Sequence, residues 1–172
     1  MIIGKHRGTC ATIDLGAIKH NLKIERQRME PGQELFAVVK ADAYSHGLVP
    51  VAVAAQEAGV DGFCVAVIDE AVALRENGIT KPILILGASP EMEAPYMAKF
   101  NLSTAVSDLH FLQMAQPLLA AQNLKLKVHL ALDTGMGRIG FRDQKTVKAA
   151  IEFMDHHQAQ FEFEGIFTHF ST

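Results

Sequence analysis

The feature that most constrains this chain is a rhythm. Short apolar runs, each too short to make a helix, alternate with helix-length stretches of mixed polarity. The runs lie at 36–40, 63–67, 83–86, 104–106, 127–132 and 163–167. Apolar runs bounded by turn residues read as strands buried on both faces. The stretches between them carry helix signals. Asp14 is placed to cap a helix over 15–29, which Pro31-Gly32 stops. Pro50 sits in the first turn of a helix over 48–58, and Gly59 ends it. Asp69 opens a helix that Asn77-Gly78 closes, and Ser89-Pro90-Glu91 opens one that Pro95 shortens or kinks. Ser107 or Asp108 caps a helix running to 121, and another spans 143–157. Six strands alternating with helices predict an α/β protein with a parallel sheet. Periodicity alone does not choose between a doubly wound sheet and a barrel.

Composition removes several functions. A net charge of −3 with no basic cluster gives no footprint for nucleic acid. No apolar run is long enough to span a bilayer, and Met1–Arg7 lacks the apolar stretch of a signal peptide. Cys10 and Cys64 show no metal or redox spacing, so they read as buried, reduced small hydrophobes in a cytoplasmic protein. No metal site is expected.

Within this frame one residue is out of place. Phe36-Ala37-Val38-Val39 runs straight into Lys40. Desolvating an ammonium is expensive, so a lysine at a buried strand's end needs a reason. Burial favours the free amine, which Schiff-base chemistry uses. The plainer reading is that Lys40 lies past the strand and snorkels to water. Arg138 and His169 likewise fall just beyond strand ends, on the rim where barrel active sites sit.

The motifs around these residues are specific as a set. Ala37-Val38-Val39-Lys40-Ala41-Asp42-Ala43-Tyr44-Ser45-His46-Gly47 resembles the pyridoxal-phosphate lysine motif of bacterial alanine racemases. Leu132-Asp133-Thr134-Gly135-Met136-Gly137-Arg138-Ile139-Gly140-Phe141 and Glu164-Gly165-Ile166-Phe167-Thr168-His169-Phe170-Ser171 are similar to two further motifs of that family. Thr12-Ile13-Asp14-Leu15-Gly16-Ala17-Ile18 fits its opening. The matches stand in family order across the chain.

The resemblance implies a TIM-like, pyridoxal-phosphate-binding barrel, incomplete at about six of eight strands. The whole of 1–172 would be part of that N-terminal domain, without the family's C-terminal β domain. It implies pyridoxal 5'-phosphate held by Lys40 as an aldimine, with Lys40 also one of two acid–base groups. Tyr44 would face the phosphate, Leu86 would line the cofactor's floor, and His169 would pack beside the pyridine ring. Arg138 would contact both the substrate carboxylate and the cofactor's phenolic oxygen. His46 belongs to the motif, and a backbone hydrogen bond is the commoner fate of such a loop histidine. The parent activity would be interconversion of L- and D-alanine for the cell wall, by a homodimer.

One position departs from the pattern. Many members carry a carbamylated lysine two residues before the Asp of the Asp-Thr-Gly-Met-Gly-Arg run, where this chain has Ala131. The family's second base, a tyrosine from the partner's C-terminal domain, matches nothing here, and Tyr96 is a poor substitute. The chain alone is therefore expected to be inactive or very weak. The other readings are a non-enzymatic pyridoxal-phosphate-binding barrel protein and an open α/β fragment. An open sheet edge also predicts self-association.

Overall fold

The structure is a computed structural model that describes Gly8 and residues 10–171. The stretch Met1–Arg7, on which the reading of the N-terminus rests, lies outside the described residues. Six parallel strands form one sheet: β1 (Phe36–Val38), β2 (Gly62–Val65), β3 (Ile83–Ile85), β4 (Ser103–Val106), β5 (Leu126–Leu132) and β6 (Phe161–Thr168). Each strand pairs with the next in sequence, so the spatial order is β1-β2-β3-β4-β5-β6. A doubly wound sheet reverses direction at a switch point. An order that never reverses is that of a barrel wall, which settles what periodicity left open.

The helices are α1 (Leu15–Arg28), α2 (Lys40–Ser45), α3 (Leu48–Glu57), α4 (Ile68–Glu76), α5 (Ala94–Lys99), α6 (Leu109–Ala120) and α7 (Gln144–His156). Aspartates do much of the capping. Asp14, Asp108 and Asp143 accept the amides of Ala17, Phe111 and Thr146 at 3.0, 2.9 and 2.9 Å. The core lies between helices and sheet. Alternate strand residues Phe63 and Val65, Ile83 and Ile85, and Val128 and Leu130 meet Leu74, Met97, Leu112 and Leu119 there. The intervening positions, among them Val38, Cys64, Leu84, Lys127 and His129, face the other way, into the barrel interior.

Four expectations need correction. The first strand ends at Val38 rather than at Lys40. The helix expected from Asp69 starts at Ile68, with Val67 as its cap. The helix expected from Ser89-Pro90-Glu91 begins only as a 3₁₀ turn over Glu91–Glu93; Pro95 stands in the first turn of α5, which is short, at six residues, and is not kinked by it. Cys64 is buried, but Cys10 is exposed, since it precedes the first helix and no core reaches it.

Candidate functional site

Because all six strands are parallel, every strand delivers its following loop to one rim. Lys40 begins the chain segment directly after β1. Val39 N–H still pairs with the Cys64 carbonyl at 2.9 Å, so the ladder continues one residue past the strand. The backbone then leaves the sheet in an unusual way. Ala41, Asp42, Ala43, Tyr44 and Ser45 all have positive φ, from 51° to 69°. The segment expected as a loop is thus a left-handed turn, α2, built without glycine. Left-handed helical backbone costs an L-residue roughly 1–2 kcal/mol. Such strain persists only where the surroundings over-determine it, and it gathers at functional sites.

The surroundings here can be named. Ala43 N–H donates to the Val39 carbonyl at 2.8 Å, and Gly47 N–H to the Asp42 carbonyl at 2.9 Å. Asp42 Oδ1 accepts from Leu48 N–H at 2.7 Å, which starts α3. His46 Nδ1 donates toward the Ala43 and Tyr44 carbonyls at 3.0 and 2.9 Å. This is the backbone tie expected for a loop histidine. The turn brings the half-buried Lys40 and the exposed Tyr44 together, with Nζ 5.9 Å from the ring centroid. Below them lies Cys64, whose thiol is pushed up to about 11 by burial, against the pull of the Lys40 charge. It stays a neutral S–H.

The loop after β5 is organised by a residue that sequence reasoning passed over. Asp133 accepts from Gly135 N–H at 3.1 Å, Gly137 N–H at 2.9 Å and Arg142 Nε at 3.1 Å. Its side chain is only 5% exposed. Those backbone bonds, then Arg142, hold its carboxyl below the usual range. The two glycines therefore turn their amides onto Asp133. The sequence signal was an Asp followed at two and four positions by Gly. Gly140 closes the loop at φ +127°, where a Cβ would lie 2.5 Å from the Asp133 nitrogen. Arg138 itself is exposed on this loop. Thr134 Oγ1 bonds Thr168 Oγ1 at 2.7 Å, and Thr168 Oγ1 donates to the Leu132 carbonyl at 2.9 Å. The Arg138 loop is thereby stitched to the end of β6, one residue before the exposed His169. Leu86, half-buried, sits directly after β3, with its N–H on the Val65 carbonyl at 2.9 Å. Lys40 and Tyr44 are in contact range of each other; Leu86, Arg138 and His169 share their rim.

A polar cluster lies deeper, inside the wall. Glu164 sits at the irregularity where β5 and β6 shift register. It accepts from Ser103 Oγ, from His129 Nε2 at 3.2 Å and from Lys127 Nζ at 3.3 Å. These partners, His129 foremost, lower its pKa from 4.5 to about 2. A depressed carboxyl contributes stability that is present above its unfolded value and lost as pH falls through the folded one. Glu164 should therefore stabilise the fold fully above about pH 5, with that contribution lost between pH 4.5 and about 2. Solvent at the open sheet edge screens the cluster, so we expect about 1–2 kcal/mol. Urea unfolding at pH 7, 4 and 3 checks this against Glu164→Gln. The difference between the two proteins should shrink toward pH 3, and a constant difference would refute it. The alternation Lys127-x-His129 between apolar residues was the signal that these side chains face inward.

Comparison with known proteins places this geometry. Residues 13–172 match the family model described as alanine racemase, N-terminal domain. The chain is 59% identical to the alanine racemase of Ligilactobacillus salivarius over its whole length, covering 46% of that protein. The crystal structure of alanine racemase from E. faecalis superposes with TM-score 0.94 at 47% identity, over 100% of this chain and 46% of the other. A histidine racemase from Leuconostoc mesenteroides superposes with TM-score 0.87 at 37% identity, over 92% and 42%. The chain thus spans about half the length of the curated relatives it matches.

Proposed function

The chain belongs to the alanine racemase N-terminal domain family, and on that premise we propose that it carries the cofactor half of a site that interconverts L- and D-alanine. The observation that carries this reading is the placement of Lys40. It stands on the carboxyl rim of a barrel wall, at the root of a left-handed turn that sets Tyr44 beside its ammonium. The groups present fit pyridoxal phosphate: a primary amine for its aldehyde, a phenol for its phosphate, and a guanidinium on the same rim for anionic oxygens.

In this reading Lys40 would hold the cofactor, Tyr44 would donate its hydroxyl to the phosphate, Leu86 and His169 would line the site of the ring, and Arg138 would take the substrate carboxylate and the ring's phenolic oxygen. When bound, pyridoxal phosphate supplies an electron sink for the pair left on the α-carbon as its proton departs. The chain's own part in that step is at Lys40 Nζ, which takes or returns the α-proton on one face of the substrate. Racemisation needs a second base on the opposite face. Tyr96 does not serve, because it lies on α5 with its ring 4.8 Å from Phe100. We therefore propose that this chain binds the cofactor but does not turn over substrate at a family rate.

The test is to add pyridoxal phosphate, reduce with borohydride and map the tag by peptide mass, with racemisation of L-alanine assayed in parallel. A tag on Lys40 supports the reading, and no specific tag removes it. Racemisation near a family rate would overturn the proposed inactivity.

Assembly belongs to the same reading. We propose a homodimeric parent, working in the cytoplasm, and self-association of this chain. Strands β1 and β6 each have one hydrogen-bonded neighbour, and Val38, Phe163 and Ile166 on them are 45, 45 and 48% exposed. Unpaired edges bearing apolar side chains invite another chain. Sedimentation velocity should show species larger than a monomer, and a monodisperse monomer would count against it. No helix among the described residues is long and apolar enough to cross a membrane.

A further inference from the structure

The left-handed turn after Lys40 is held from outside by one carboxylate. Glu70 sits in the first turn of α4, on the neighbouring βα unit. Its Oε2 accepts from Ala66 N–H at 2.7 Å and Val67 N–H at 3.4 Å. A glutamate three residues past a helix cap commonly reaches back this way. Here the capping residue is Val67, which has no side-chain acceptor, so Glu70 satisfies that end alone. The capping role uses one oxygen. The other, Oε1, accepts from Ala41 N–H at 2.6 Å, 29 positions away in sequence.

That second bond is the informative one. Ala41 N–H belongs to the peptide unit whose other end is the Lys40 carbonyl. Fixing that unit fixes the backbone from which the Lys40 side chain leaves. It also anchors the first of the five left-handed residues, where the strained segment must be prevented from relaxing. The far side of the clamp is itself immobilised. Gly87, just past β3, packs so closely on the Ala66 carbonyl that a Cβ there would lie 2.4 Å from the oxygen. The rim ends of β1, β2 and β3 are thus linked through Glu70 and Gly87.

We propose that Glu70 is a positioning residue for Lys40: its carboxylate bridges the α4 amino terminus to the left-handed turn and so aims the lysine that holds the cofactor. The inference rests on the cofactor reading above for its consequence, but not for its structural half. Three proteins decide it: Glu70→Ala, Glu70→Gln, and Asp61→Ala as a control that removes a bridging carboxylate, bound to Leu35 N–H and Arg26, at the opposite end of β1 and β2. Gln keeps the length and packing of Glu but offers one accepting oxygen, so its amide NH₂ must face an N–H at one end. It stands in should the alanine variant fail to fold.

Two readouts are taken. Amide exchange of Ala41–Ser45 in the unliganded chain should speed up about tenfold or more in both Glu70 variants and stay unchanged in Asp61→Ala. The pyridoxal phosphate concentration that half-saturates the borohydride-fixed tag on Lys40 should rise about 10–100-fold in the Glu70 variants only. Wild-type tagging with unchanged exchange and unchanged half-saturation in Glu70→Gln would overturn the role of Glu70 and leave the cofactor reading standing. No tag on the wild-type chain would remove the cofactor reading, and exchange would then decide alone whether Glu70 holds the turn. Equal losses in Asp61→Ala would mark the effect as general destabilisation and overturn the proposal.

Discussion

Substitution of Lys40 by alanine is expected to abolish the borohydride-fixed pyridoxyl tag outright while moving the unfolding free energy by less than about 1 kcal/mol. Both halves follow from where the side chain stands. Lys40 is half-buried, and its nearest aromatic contact is the exposed Tyr44 ring at 5.9 Å. A cation–π contact at an exposed site contributes about 0.5–1 kcal/mol, so little stability goes with it. Two other amines are engaged elsewhere. Lys19 is bound to Glu57 on the outer helices. Lys127, which faces the barrel interior, stands 3.3 Å from Glu164 Oε1 and is held in that ion pair. Peptide mapping separates the outcomes. A tag that persists in Lys40→Ala on Lys127 would put the cofactor deeper in the wall than the rim and would refute the assignment.

The parts of this molecule that were legible in the sequence are those set by local pattern. Strand and helix positions came from short apolar runs punctuated by Asp14, Gly59 and Asp108, because capping and backbone sterics act within four residues. The choice of barrel over doubly wound sheet did not come from pattern, since it depends on which strand lies beside which; it came from the resemblance of the motifs to a known family. The site divides the same way. Lys40 stood out because a charge ended an apolar run. The left-handed turn after it was hidden, because Ala-Asp-Ala-Tyr-Ser contains no glycine and no local rule prefers positive φ there. What fixes it includes a carboxylate 29 positions away. Glu164 was equally hidden: its partners lie 35 and 61 positions off in sequence. Asp133 is the intermediate case, since its glycine partners are adjacent and a closer reading of turn chemistry would have found it.

The largest expected loss of stability is from Arg75→Ala, about 3–5 kcal/mol, although Arg75 touches neither rim nor interior cluster. The guanidinium spans the bottom of two βα units. Its Nε donates to the Phe100 carbonyl at 3.0 Å, Nη1 to Ile79 at 2.8 Å and Lys81 at 2.7 Å, and Nη2 to Asn101 at 2.8 Å. Two of these acceptors lie between α4 and β3, and two lie between α5 and β4, so one side chain locks both connections. Arg75 is half-buried, and that burial lowers its pKa. Four carbonyls with a planar fork between them cannot be served by methyl, and those that water does not reach stay unpaired. At 172 residues, a loss of that size corresponds to a fall in melting temperature of roughly 10 °C. Arg75→Lys separates charge from geometry. An ammonium keeps the positive charge but not the fork, and it should recover less than half of the loss. If urea unfolding finds Arg75→Lys as stable as the parent, charge alone holds this joint, and the argument from four directed hydrogen bonds is wrong.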